Sequence, residues 1–224
     1  MEKVLELLHV TKTYPGVVAL DDVSMSFLPG EIHSVMGENG AGKSTMIKII
    51  AGAILADKGE IVIDGEAFEK LTPAISKNKG IGVIYQEFNL IPSMSVAENI
   101  FLGEKTGNSI MPDFQKMHAK ATELMNSLGV SIDSHSMVGD LSTAQQQLVE
   151  IAKAISKNCK VLIMDEPTAA IAQAEAENMF RIMRQLKSQG VTIIYISHRM
   201  EEVFDLSDRV SILRDGKYVD TKQI

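Results

Sequence analysis

A single cysteine, Cys159, leaves this 224-residue chain no internal disulfide and fits a reducing compartment. No apolar run approaches the ~20 residues that a membrane-spanning helix needs, and the opening Met1-Glu2-Lys3 lacks a signal-peptide profile. Both absences point to the cytosol. Basic stripes and Lys/Arg runs are missing as well, and with a net charge of −7 the chain is not built to track DNA or RNA backbones. It has no low-complexity tract, no internal repeat and no long coiled-coil pattern. What is left is an ordinary globular composition, 45% hydrophobic and 23% charged, on a chain long enough to bury a core as one large domain or two small ones. Thirteen methionines are many; Met fills irregular core gaps, and on a surface it makes an adaptable docking face.

One stretch stands out from that background. Gly37-Glu38-Asn39-Gly40-Ala41-Gly42-Lys43-Ser44-Thr45 fits the pattern Gly-x-x-x-x-Gly-Lys-Ser/Thr, which average residue usage would produce in roughly one chain of this length in a hundred. An apolar segment, Ile32 to Met36, precedes it. A helical segment follows with Met46, Ile47, Ile50 and Ala53 on one side, so the motif sits in a strand, loop, helix unit. The residue types suit a polyphosphate. Glycines let backbone N–H groups approach oxygens closely. Lys43 supplies a mobile positive charge for the outer phosphates, Ser44 offers a hydroxyl to Mg²⁺, and the helix start adds partial positive charge from unpaired N–H groups. A Gly-rich turn that happens to precede a lysine is the plainer alternative; the flanking strand and helix weigh against it.

Residues 4 to 28 read as β structure, with Val23, Met25 and Phe27 alternating against Ser24 and Ser26 before Pro29-Gly30 turns the chain. Gly59 to Gly65 gives another alternating strand with a turn at Asp64-Gly65, Thr72-Pro73 starts a helix, and Ile81 to Tyr85 is a short apolar run ending at Gln86. From about Phe88 to Asn158 helical signals take over. Capping-box spacing occurs at Ser95/Glu98 and at Ser142/Gln145, the second ahead of Leu148, Ile151, Ala152 and Ile155 on one face, and Asp113 to Leu128 has a moderate helical period. Then come the strand Val161 to Met164, a helix through Met179, Phe180, Met183 and Leu186 that stops at Gly190, the strand Val191 to Ser197, and a hairpin around Asp215-Gly216. The expected fold is α/β, one domain over 1–224. Residues 1–87 and 159–224 make an α/β core that opens with β structure, and 88–158 an inserted α-helical subdomain, the parallel sheet being covered on both faces.

Four apolar strands each end in a residue suited to phosphate chemistry: the P-loop after Met36, Gln86 after Tyr85, Asp165-Glu166 after Met164, and His198 after Ser197. In a parallel sheet all carboxyl ends share one edge, where ligands of such folds bind, so the four should meet there. Asp165 is placed to hold Mg²⁺ opposite Ser44, and Glu166, pointing differently, to orient or deprotonate an attacking water. Taken alone, an acidic pair after a strand is as often a helix cap with solvated neighbours, and a lone histidine a surface or satisfied core residue. The P-loop shifts both toward function, His198 toward a γ-phosphate contact. Gln86 alone means little.

The order Tyr14, P-loop, Gln86, Leu141-Ser142-Thr143-Ala144-Gln145, Asp165-Glu166, His198 resembles the nucleotide-binding domain of ABC transporters over nearly the whole chain. The phrases Tyr85-Gln86-Glu87-Phe88-Asn89-Leu90 and Tyr195-Ile196-Ser197-His198-Arg199-Met200-Glu201-Glu202 resemble the branch that serves importers of simple sugars such as ribose, galactose and xylose. The resemblance implies a P-loop NTPase core of RecA-like type with an N-terminal antiparallel β subdomain, and ATP and Mg²⁺ as cofactors. It puts Tyr14 on adenine, Gly37 to Thr45 around the phosphates, Lys43, Gln86, Glu166 and His198 in catalysis, and Ser44, Gln86 and Asp165 at the metal. It puts Ser142 and Gln145 against the γ-phosphate of a nucleotide held by a second domain. A strand-edge aromatic is the alternative for Tyr14. For Ser142 and Gln145, capping and anion contact are compatible, since a capped helix start still aims N–H groups outward.

The same resemblance implies an ATPase subunit that is cytoplasmic and peripheral on the inner membrane. Its implied partners are transmembrane permease subunits, a second ATP-binding domain in tandem or as a homodimer, and indirectly a sugar-binding protein, with no nucleic acid. Two departures stand out: Thr143 and Ala144 replace the usual glycines of the family signature, and Thr168-Ala169-Ala170-Ile171-Ala172 lacks the aspartate usual near its end. Members of the sugar branch usually carry two such domains, and one P-loop here is what a fragment or an isolated first half would show. A soluble ABC ATPase outside transport would call for basic arms or a coiled coil. An ATP-binding regulatory domain with weak hydrolysis stays open through the altered signature. A GTPase is set aside, since no Asn-Lys-x-Asp segment is present.

Overall fold

Period-two burial organises the start of the chain. β1 (Leu5–Tyr14) and β2 (Val17–Phe27) form an antiparallel hairpin in which Val23, Met25 and Phe27 are buried and Ser24 and Ser26 are half-buried, the split of a strand with one face in a core. The structure is a computed structural model that describes residues 3–104 and 113–224; the opening Met1-Glu2 and part of the expected helical insert, 105–112, lie outside the described residues. β3 (Ile32–Met36), α1 (Lys43–Ile50), β4 (Lys58–Ile63) and β5 (Glu66–Phe68) follow. Asp64 and Gly65 turn the last two with φ of 49° and 78°, the positive pair that a tight hairpin requires. β2, β1, β4 and β5 make a four-stranded sheet in that order. α2 (Pro73–Asn78) starts at Thr72, whose side chain accepts the Ile75 N–H, and leads to β6 (Ile81–Ile84).

The next elements are helical: α3 (Val96–Ile100), α4 (Phe114–Ser127), a 3-10 turn at Val138–Asp140, and α5 (Thr143–Ile155). Their starts follow local rules. Ser95 with Glu98 and Ser142 with Gln145 each make both bonds of a capping box, and Asp113 accepts the Lys116 N–H. β7 (Val161–Asp165), α6 (Gln173–Ser188), β8 (Thr192–Ile196), α7 (Met200–Leu206), β9 (Arg209–Arg214) and β10 (Lys217–Gln223) complete the described elements. A six-stranded sheet runs β10-β9-β3-β8-β7-β6, with β3 parallel to β8 and β9, β7 parallel to β8, and β10 antiparallel to β9. β8 is buried at every position, as a central parallel strand with both faces covered must be.

By contacts the chain divides into two compact units. The first comprises Met1–Val83, Cys159–Glu166 and Leu186–Ile224, with both sheets; the second comprises Ile84–Asn158 and Pro167–Gln185. Among the described residues no helix is long and apolar enough to cross a membrane.

Two local details differ from the sequence expectation. Ala53, which helical spacing puts on the buried side of the P-loop helix, lies beyond the end of α1 and is exposed; Gly52, at φ 70°, has already turned the chain. His33 and Ser34, inside the strand read as apolar, are fully buried polar residues. Nδ1 of His33 lies 3.0 Å from Oε1 of Glu31 and Nε2 lies 2.7 Å from Oγ of Ser211, while Arg209 donates to both Glu31 oxygens at 3.2 and 3.3 Å. Burial raises the Glu31 carboxyl, but the bonds from His33 and the Leu28 N–H and the charges of His33 and Arg209 outweigh it and hold the group below its usual range. This network pins the amino end of β3, the strand that delivers the P-loop.

Candidate functional site

Two of the P-loop glycines, Gly37 and Gly42, answer to protein packing. A Cβ on Gly37 would come 2.4 Å from the Leu213 carbonyl oxygen, and one on Gly42 would come 2.5 Å from that of Ala19. The loop is therefore wedged between β9 and β2 at distances only bare backbone allows. Gly40 and Gly42 are also left-handed, at φ 85° and 103°. Further bonds hold the loop's shape: the Ala41 N–H donates to the Glu38 carbonyl at 3.1 Å, and the Gly216 N–H to the Ala41 carbonyl at 3.2 Å. Lys43 is buried, its ammonium donating to the carbonyls of Gly37 at 2.7 Å and Glu38 at 3.0 Å, so the charge is held over the loop itself. Ser44 is exposed and Thr45 half-buried at the start of α1.

Asp165 ends β7, in register with Ile196 of β8. At Glu166 the backbone becomes left-handed, φ 47°, a conformation that costs a non-glycine residue about 1–3 kcal/mol, and the Glu166 N–H donates to the Ile196 carbonyl at 3.0 Å. The two adjacent carboxylates thus leave the strand in different directions. Burial, and then the neighbouring charge of Glu166, push the Asp165 carboxyl above its usual range, against the pull of Lys43 and Lys48. Oε1 of Glu166 lies 3.1 Å from Nδ1 of His198, just past β8; the Glu166 side chain is 17% exposed and that of His198 60%. β3, β7 and β8 therefore bring the P-loop, Asp165, Glu166 and His198 to one edge of the sheet.

This edge suits a hard divalent cation. The Ser44 hydroxyl and an Asp165 carboxylate burdened by burial and a second negative charge are oxygen donors, and a cation beside Asp165 would relieve both burdens. Among the described residues no group of three or more His, Cys, Asp and Glu side chains gathers to hold a metal. Mg²⁺ characteristically fits such a sparse set, completing its shell with phosphate oxygens and water.

Tyr14 ends β1 opposite Val17, is 40% exposed, and has the Lys12 ammonium 5.7 Å from its ring centroid. The ring is thus an exposed aromatic with a cation over it. Gln86, Ser142 and Gln145 belong to the second unit. Gln86 is exposed and follows β6. Ser142 Oγ accepts the Gln145 N–H at 3.3 Å, and Gln145 Oε1 accepts the Ser142 N–H at 3.0 Å, so both side chains are engaged in the cap.

Sequence reasoning missed what anchors the segment after Gln86. The Asn89 N–H donates to Glu150 Oε1 at 2.7 Å and Lys153 Nζ donates to the Asn89 carbonyl at 2.5 Å, both from α5. Burial pushes the Glu150 carboxyl up, against Lys153 and the Asn89 N–H. The available signal was a carboxylate set between Val149 and Ile151, in a helical stretch otherwise apolar enough to be buried.

A parallel-sheet core that presents a P-loop, a strand-end carboxylate pair and a histidine at one edge defines a P-loop nucleotide-binding protein. Residues 20–169 match the family model described as ABC transporter, and the chain belongs to that family. Ribose import ATP-binding protein RbsA 1 of Rubrobacter xylanophilus is 49% identical over 219 residues, covering 98% of this chain and 44% of the relative. A putative ribose/galactose/methyl galactoside import ATP-binding protein of Pseudomonas savastanoi pv. phaseolicola is 49% identical over 216 residues, 96% of this chain and 41% of the relative. The chain thus spans under half the length of these relatives. Among solved structures, a nucleotide-free ATP-binding cassette from an ABC transporter matches with a TM-score of 0.87 at 29% identity, covering 100% of this chain and 92% of that one. A dimeric bacterial ABC transporter cassette matches with a TM-score of 0.84 at 29% identity, covering 98% of each. The α/β cassette fold expected from the resemblance is the fold of this chain.

Proposed function

We propose that this chain is an ATP-binding, ATP-hydrolysing domain of an ABC importer that powers uptake of a simple sugar through separate transmembrane permease subunits. The observation that supports it most is the contact between Glu166 and His198, 3.1 Å apart, on the sheet edge that carries Lys43 and Asp165. The N–H groups of Gly37 to Thr45 and the Lys43 ammonium bind the phosphates, and Tyr14 lies against adenine. Ser44 and Asp165 would hold Mg²⁺, which would neutralise phosphate charge there. Glu166 orients or deprotonates the attacking water. His198 stabilises charge at the γ-phosphate and keeps the Glu166 carboxylate in place.

Ser142 and Gln145 face the γ-phosphate of a nucleotide on a second ATP-binding domain, tandem or an identical copy, so that two domains closing head to tail complete each other's sites. The dimeric cassette among the similar structures supports that pairing. Closure and reopening move the permease through the helical subdomain, 88–158, and the surface at Gln86, with the chain peripheral on the cytoplasmic face of the inner membrane and a sugar-binding protein upstream. The names of the relatives, ribose import and ribose/galactose/methyl galactoside import, support the sugar class. A second reading, an ATP-binding switch with weak hydrolysis, is favoured by Thr143 and Ala144, whose side chains at the start of α5 would crowd a close phosphate approach.

Phosphate release from the purified chain, alone and mixed with its second domain, tests the reading. Slow turnover whose rate per molecule rises with protein concentration is expected, together with a Glu166→Gln variant that binds MgATP without hydrolysing it. Undiminished hydrolysis in Glu166→Gln would remove Glu166 from the mechanism, and binding without hydrolysis in both arms would favour the switch.

A further inference from the structure

A buried carboxylate stands behind this edge with no part in the reaction described so far. Glu202, in the first turn of α7, is 9% exposed, and three side chains converge on it. The Tyr195 hydroxyl donates to Oε2 at 2.6 Å, the Ser197 hydroxyl to Oε2 at 3.0 Å, and the Arg199 guanidinium to Oε1 at 3.0 Å. Oγ of Ser197 in turn accepts the Arg199 N–H at 3.0 Å. Tyr195 lies in β8 and Arg199 is still extended, φ −91° and ψ 107°. Along an extended chain alternate residues share a side. Tyr195, Ser197 and Arg199 therefore turn toward Glu202, and His198 turns the other way, where its Nδ1 meets Glu166.

Joining α7 to β8 does not require this arrangement. An apolar residue would do so without the desolvation cost of a buried carboxylate, which is recovered only when its lone pairs are taken. What a satisfied polar cluster adds is a fixed register and rotation for the segment that makes it. We infer that Glu202 is a positioning residue for ATP hydrolysis: it fixes the residues on both sides of His198 and so holds the imidazole against Glu166. The inference rests on the ATPase reading above, in which Glu202 touches no reacting atom.

The test compares Glu202→Ala, which removes every tie, with Glu202→Gln, which keeps the shape and an acceptor oxygen. In the purified chain Glu202→Ala is expected to lower kcat by on the order of 10- to 100-fold with KM for MgATP little changed, and Glu202→Gln to recover much of the loss. The ring-nitrogen NMR signals of His198, recorded without nucleotide, should shift in Glu202→Ala and stay near the parent position in Glu202→Gln. An unchanged kcat in folded Glu202→Ala, a change confined to KM, or a reduced kcat with unmoved His198 signals would each overturn the inference. If Glu202→Ala does not fold, Tyr195→Phe combined with Ser197→Ala replaces it, with an expected kcat loss of about 3- to 10-fold and the same shift of the His198 signals; unmoved signals there would overturn it equally. If the parent chain hydrolyses no ATP, the ATPase reading falls, and the His198 signals still decide whether Glu202 positions the imidazole.

Discussion

The starts of α1 and α5, both assigned to phosphate in the proposed function, are built in opposite ways. α1 begins at Gly42, left-handed at φ 103°, and no side chain among the described residues caps it. α5 begins at Ser142, which closes a capping box with Gln145. The first arrangement leaves backbone N–H groups for an anion and takes its stability from packing, through Met46, Ile47, Ile49 and Ile50 and the close seat of Gly42 on Ala19. The second secures its own end and presents a finished helix start. One is a socket whose shape depends on its surroundings; the other is a self-supporting surface suited to meeting a separate partner.

Filling the socket should break that contrast most severely. Gly42→Ser would supply a capping side chain, but its Cβ would meet the Ala19 carbonyl in a left-handed backbone. The expected cost is about 1–3 kcal/mol in denaturant unfolding, with MgATP affinity down on the order of 100-fold. Parent-like affinity would show that the α1 start is not the phosphate site.

Removing the cap from α5 should do less. Ser142→Ala is expected to cost about 1 kcal/mol of stability, to leave MgATP affinity of the single chain unchanged, and to lower the concentration-dependent part of hydrolysis. Loss of single-chain affinity would mean that the two helix starts are not separate in function.

The smallest effect concerns the carboxylate that faces the socket. Burial and Glu166 raise the Asp165 carboxyl in the folded chain, so folding favours its protonated form; that contribution to stability is complete below the unfolded value and is lost as pH rises through the folded one. Asp165→Asn should therefore raise Tm by a few degrees at pH 7, with the gain shrinking toward zero below about pH 4. Thermal melts across that range check it. An unchanged or lower Tm at neutral pH would show that Asp165 carries no such burden.

Where structure follows local rules, the sequence was legible. Ser95, Thr72, Asp113 and Ser142 cap the helices whose spacing announces them, and Asp64-Gly65 and Asp215-Gly216 turn hairpins because both positions need positive φ. The ends of β3, β7 and β8 could be aligned because parallel strands share an edge. What was hidden is non-local or inverted. Gly37 and Gly42 are demanded by the carbonyls of Leu213 and Ala19, distant in the chain, and His33 is satisfied by Ser211 from β9. α7 went unnoticed because its pattern is reversed, with Glu202 buried while Met200 and Phe204 are 57% and 61% exposed. For Tyr14, Gln86, Ser142 and Gln145 no local rule assigns a role, and their proposed roles come from family resemblance.

The central claim is that the edge made by β3, β7 and β8 binds MgATP through the loop from Gly37 to Thr45. Titration calorimetry of the parent chain and Lys43→Ala with MgATP tests it most directly. The expected result is heat that saturates at one nucleotide per chain in the parent, with affinity on the order of 100-fold lower in Lys43→Ala. No heat in the parent, or equal affinity in the variant, would contradict it.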